Sequence, residues 1–279
     1  MNTAITQETI DNLLQSRYAQ PGASSYPSSN PVINALLQHR SVRAYDPRPL
    51  PEDTLPLLVA AAQSASTSSN LQVWSLVAVQ NPEKKAKLAA LAGNQKHILD
   101  CPLFLVWLAD LSRLRSRGEL HGVPHESLDY LEMFLVASVD ATLAAQNAAV
   151  AAESMGMGIV YIGGIRNQPE QVAEVLELPP NVFAVFGMCV GYPDPQRPAS
   201  IKPRLQQEAV LHMESYQPEV VHPSVESYNE VMSTFYTQQG MKTQGAWDLH
   251  SLNRVKDKDA MKGRDRLTEA LNNLGFDLR

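Results

Sequence analysis

The stretch VDATLAAQNAAVAAESMGMGIVYIGGIR, residues 139–166, sets the fold. Alanines at 137, 141, 144, 145, 148, 151 and 152 recur at helical spacing, which predicts one long helix over residues 128–155. So small a face admits close approach of another backbone. That neighbour is either the protein's own core or a second subunit, and the pattern leaves both open. Gly156 and Gly158 end the helix. Residues 159–162 are apolar and β-branched and read as a strand, which closes on Gly163–Gly164.

The same alternation extends outward. Short apolar runs predict further strands at 74–79 (WSLVAV), 103–109 and 183–190. Helices are expected over 1–20, 31–38, a buried segment after Pro51 that stops at Ser64, a surface segment at 83–91, and 169–177. Residues 21–31, PGASSYPSSNP, read as an irregular connector. Apolar density falls after Tyr216, leaving two or three amphipathic pieces. The expected organisation is an N-terminal helix and connector over 1–32, a core over 33–216 and a C-terminal helical extension over 217–279. The class is α/β or α+β.

Several chemistries are excluded. No G-x-G-x-x-G follows the first strand, and there is no P-loop, H-E-x-x-H, paired C-x-x-C or G-x-S-x-G, so no metal ligand set is assigned. With 23 basic and 29 acidic residues, the net charge of -6 gives no support to nucleic-acid binding. Cys101 and Cys189 each lie in apolar runs and read as small core residues of a reducing compartment. The start lacks the basic and apolar regions of a signal peptide, and no segment is read as a membrane span, so the cytoplasm is expected.

Four polar clusters interrupt the apolar pattern. His39–Arg40–Ser41–Val42–Arg43 carries two guanidiniums, whose planar forks suit a phosphate, or else a solvated helix end. Residues 64–72, SASTSSNLQ, offer hydroxyls and amides to a flat polar ring, or form a plain loop. Tyr161–Ile162–Gly163–Gly164 brings backbone N–H groups close to a ligand without a Cβ in the way, or is a tight turn, with Arg166 just beyond. Lys202–Pro203–Arg204 is a candidate anion clamp or a solvated loop. None of these is specific alone.

In this order, together with GNQKH at 93–97 and the VDATLAAQN helix, they resemble the nitroreductase superfamily. The closest likeness is to its subgroup of oxygen-insensitive NADPH nitroreductases and NADPH–FMN oxidoreductases, over roughly residues 33–216. The resemblance implies a homodimer holding FMN at the subunit interface. It implies an α+β fold with a mainly antiparallel sheet flanked by helices, and a C-terminal extension wrapping the partner. Carried over by residue, the FMN contacts are His39, Arg40, Ser41, Arg43, Thr67, Gln95, Tyr161, Ile162, Gly163, Gly164, Lys202 and Arg204.

The implied activity is NAD(P)H-dependent two-electron reduction of nitroaromatics, quinones or free flavin in a ping-pong cycle. The cofactor carries the redox chemistry, so no catalytic side chain is assigned. A cation such as Lys202 or Arg43 would stabilise the charge gained on reduction. The alternatives are a dedicated flavin reductase feeding a monooxygenase, a non-catalytic FMN-binding protein, and an anion-binding domain without flavin. One departure stands out. The NADPH-using relatives carry an arginine-rich loop in the C-terminal extension, whereas residues 236–245 here hold one lysine and no arginine. Weakened NADPH preference is therefore expected, with Lys242, Arg254 and Arg166 as substitute cations.

Overall fold

The computed structural model describes residues 7–19, 30–243 and 245–279. Most of the expected connector, residues 21–29, lies outside the described residues, as do residues 1–6 and Gln20 of the first expected helix and Gln244.

The chain divides into two compact units, residues 1–40 with 200–261, and residues 41–199 with 262–279. These limits differ from the expected boundaries at 32/33 and 216/217: the last helix packs with the sheet rather than with the extension before it.

The larger unit is built on four antiparallel strands, β1 (Trp74–Val79), β2 (Leu103–Asp110), β3 (Gly158–Ile162) and β4 (Val182–Gly191), in the order β1-β2-β4-β3. Central β2 is buried at every residue, as its apolar run LFLVWLA requires, and its last residue, Asp110, accepts from the Ser75 and Ser112 hydroxyls. The register between β2 and β4 shifts between Trp107 and Leu108, leaving Val185 unpaired in the ladder. Arg166 answers that irregularity: its Nη1 donates to the Val185 carbonyl.

Helices α3 (Thr54–Gln63) and α7 (Leu131–Ser154) pack on one face of the sheet. Ala144, Ala145, Ala148, Ala149 and Ala152 of α7 interleave there with Leu58 and Ala62 of α3 and Trp107 of β2. The alanine stripe thus serves the protein's own core. On the other face, α4 (Pro82–Leu91), α5 (Lys96–Asp100) and α8 (Pro169–Leu176) enclose Leu88, Ile98, Val172 and both cysteines, which are buried free thiols. Helix α6 (Ser112–His121) is exposed, and α11 (Leu267–Asn273) buries Leu271 against Phe183.

Two sequence expectations are corrected. The long helix does not begin at 128: a 3-10 turn, Glu126–Asp129, precedes it, and Tyr130 is extended before α7 starts. By length and composition α7 is also apolar enough to cross a membrane, although no segment was expected to be. Its alanines are instead buried against α3 and the sheet, the position of a core helix.

The smaller unit holds α1 (Gln7–Tyr18), α2 (Pro31–Leu37), α9 (Val221–Gln238) and α10 (Trp247–Leu252). Tyr228, Met232 and Tyr236 of α9 form its own apolar cluster, against which Leu205 and Trp247 pack.

Candidate functional site

In the sheet unit the chain after Arg40 runs beside β3. Ser41 makes a parallel bridge with Ile159, and Val42 N–H donates to the Ile159 carbonyl at 2.9 Å. Val42 fills the space above Gly158, where any Cβ would collide with it. This seats Ser41 and Arg43 alongside the strand that ends in the Gly163–Gly164 turn.

That turn is where glycine is required. A Cβ on Gly164 would lie 2.5 Å from the Ala92 carbonyl and 2.6 Å from the Gln95 amide nitrogen. Gln95 Nε2 donates to the Ala92 carbonyl at 2.9 Å, which fixes its side chain against the turn. On Gly163 an added Cβ would meet only Arg166 Nη2, at 3.5 Å, so the backbone there is open to a flat group. The structure therefore brings Gln95, Gly163 and Gly164 together just past Tyr161 and Ile162 at the end of β3, while Ser41 pairs with Ile159 near the start of the same strand. The Ile162 side chain is core, leaving only its main chain for a ligand. Tyr161 stands part-exposed, with its hydroxyl donating to Gln146 Oε1 at 3.3 Å; burial of the ring pushes its pKa well up.

Arg43 is exposed, near His97 of α5. Burial, and then the Arg43 cation, push the His97 pKa below its ordinary value, while Asp100 opposes them. Burial and the nearby Arg264 likewise lower the pKa of Arg166.

Thr67 lies in the loop between α3 and β1. It lines a cavity of about 670 Å³ with Leu55, Trp74, Leu76 and Arg113, none of them a sequence-predicted contact. Its hydroxyl donates to Asp140 of α7 and accepts from Gln72 N–H at 3.0 Å, so its proton is already committed. Asp140, only 2% exposed, also accepts from Ser68 N–H at 3.1 Å. Ser69, Asn70 and Gln72 all have positive φ (48°, 56° and 52°), a conformation costly for residues with a Cβ. Asp140 is thus the buried anchor of a strained loop. Sequence reading passed over it; the available signal was a carboxylate within an otherwise apolar helix face.

In the smaller unit, His39 and Arg40 follow α2, and Arg40 Nη1 donates to the Gln38 carbonyl at 3.0 Å. Lys202 is half-buried and Arg204 exposed; between them the Pro203 carbonyl accepts from the buried Tyr228 hydroxyl at 2.8 Å. Arg17 of α1, also unread in the sequence, donates to main-chain carbonyls of both cationic segments.

Comparison with known proteins gives the family. Residues 36–192 match the model of the nitroreductase family, and residues 202–279 that of the nitroreductase family C-terminal domain. The chain is 40% identical to the FMN reductase (NADPH) of Bacillus subtilis over 233 residues, covering 82% of this chain and 93% of that one. It is 39% identical to a second B. subtilis protein, FMN reductase [NAD(P)H], over 212 residues, 75% of this chain and 84% of that one. Among solved structures, the NADPH:FMN oxidoreductase from Vibrio harveyi complexed with NAD+ superposes with a TM-score of 0.77 at 36% identity, covering 90% of this chain and all (100%) of that one. With more than half its residues matched and its antiparallel α+β sheet in place, the chain belongs to the nitroreductase family.

Proposed function

We propose that this chain is an FMN-dependent NAD(P)H oxidoreductase that reduces nitroaromatics, quinones or free flavin, working as a cytoplasmic homodimer. The observation that carries the reading is the Gly163–Gly164 turn: open backbone at Gly163, an amide fixed beside it at Gln95, and the Ser41 segment bridged to the same strand. These are the parts a flat heterocycle needs, namely an unobstructed main chain and a few oriented donors.

Each unit carries donors of its own for an FMN. Ser41, Arg43, Gln95, Tyr161, Ile162, Gly163 and Gly164 would hold the ring, and His39, Arg40, Lys202 and Arg204 supply charge-assisted donors suited to a phosphate. Bound FMN would supply the two-electron redox chemistry. The protein's part is to orient ring and phosphate, to exclude water and to place cations where negative charge grows. No side chain is required as nucleophile or general base.

A second subunit fits two observations. Leu131, Leu135, Val139 and Leu143 form a stripe at i, i+4 spacing on α7, each between 43% and 56% exposed. The exposed Val210, Leu211, Met213 and Tyr216 suit an extension that wraps a partner.

Donor and acceptor are read by kinetics. Relative kcat/KM with a nitrofuran, a quinone and free FMN separates a general reductase from a dedicated flavin reductase, which would turn over only free FMN. For the donors, the arginine-free segment 236–245 predicts that NADPH is not strongly preferred. A kcat/KM ratio above about a hundredfold in favour of NADPH, roughly 2.7 kcal/mol, would contradict this. A protein that binds FMN but oxidises neither donor would be the non-catalytic alternative.

A further inference from the structure

Arg17 lies in the last turn of α1, before the residues that either family model matches. It is 7% exposed. A guanidinium taken out of water must have its N–H donors met. Nη2 donates to the carbonyls of Leu37 at 2.9 Å and His39 at 2.8 Å, and Nη1 to the carbonyl of Lys202 at 3.1 Å. A basic residue in a last helical turn ordinarily serves its own helix end or solvent. This one leaves its helix and ties together two distant segments, both carrying cations.

The tie is reciprocal. Arg204 N–H donates to the Arg17 carbonyl at 2.8 Å, and Gln206 Nε2 to the Tyr18 carbonyl at 2.9 Å. These are last-turn carbonyls for which the helix itself has no donor. Buried Ile10 and Leu14 seat α1, and Tyr228 holds Pro203 from the side of α9.

We infer that Arg17 is a positioning residue for the cofactor phosphate: by fixing the backbone of His39 and Lys202 it sets the side chains of His39, Arg40, Lys202 and Arg204 to converge on one dianion. This rests on the FMN reading above. Lysine is a poor substitute, because a single ammonium cannot reproduce the planar fork that spans three carbonyls.

The test compares FMN with riboflavin, which has the same ring and no phosphate, by flavin fluorescence on the full-length apoprotein. Wild type, Arg17→Gln, Arg17→Lys and Ser16→Ala are titrated; the exposed Ser16 hydroxyl bonds only within its own helix, to the Asn12 carbonyl at 2.8 Å. Arg17→Gln is expected to raise the FMN Kd about tenfold or more while moving the riboflavin Kd by less than about twofold, with Arg17→Lys between and Ser16→Ala unchanged. Equal weakening of both flavins would show a merely structural role and overturn the inference, as would unchanged FMN affinity. If Arg17→Gln does not fold, Arg17→Lys carries the same comparison. Wild type that binds neither flavin would overturn the FMN reading itself, an outcome distinct from wild type and Arg17→Gln binding FMN equally well.

Discussion

His97 shows how one residue can carry a pH signature for the site. Its ring is half-buried near the Arg43 cation, and its pKa is held below the ordinary histidine value by burial first and Arg43 second. The folded protein therefore binds this proton less readily than the unfolded chain. The stability that depends on neutral His97 is fully present above the ordinary histidine pKa, about 6.5, and is lost as pH falls from there through the folded value. A His97→Gln variant should consequently lose less Tm than wild type between about pH 8 and pH 5, read by thermal unfolding across the series. An identical pH profile in both proteins would remove His97 from the account. His97 was legible only as part of the GNQKH stretch, since its shift comes first from burial in the fold and then from Arg43, more than fifty residues away in sequence. Arg17 was hidden for a similar reason: a lone arginine near a helix end has a sufficient local explanation, and only tertiary placement reveals its three carbonyl partners.

At the scale of elements, the loop at 64–72 and helix α7 act as a pair. Three positive-φ residues persist in that loop because Asp140 grips Thr67 and Ser68 from a buried position. Asp140→Ala leaves the Ser68 N–H without its acceptor and should cost about 1–3 kcal/mol in urea denaturation. It should also raise amide exchange in the loop, with β1 unaffected. The strands were readable because each is a short apolar run with its own boundaries: the expected 74–79 coincides with β1, β2 and β3 are each longer by one residue at one end, and β4 by one residue at both ends. The missed helices lacked that signal. Helix α6, SRLRSRGELH, buries no residue and depends on Asp110, which accepts from Ser112 N–H at 3.0 Å and Ser112 Oγ at 2.6 Å. Helix α5 is five residues long, too short for a period to register.

At the scale of the whole molecule, the long helix has two faces with different tasks. Its alanines are consumed by α3 and the sheet, while Leu131, Leu135, Val139 and Leu143 remain about half exposed. The small-residue face serves the core, and in the proposed homodimer the larger apolar residues would be the ones to meet a second copy. If the protein is the proposed homodimer, Leu135→Lys with Val139→Lys should shift it to monomer in light scattering and weaken FMN retention in step. A doubly substituted protein that stayed dimeric would place the interface elsewhere.

The central claim, a flavoprotein that takes electrons from a nicotinamide donor, is tested most directly by the absorbance spectrum of the purified protein during anaerobic addition of NADH and then NADPH. The account predicts flavin bands that bleach on addition of donor. Bands that persist with both donors would contradict the oxidoreductase reading, and no bands even after FMN is supplied would contradict the cofactor itself.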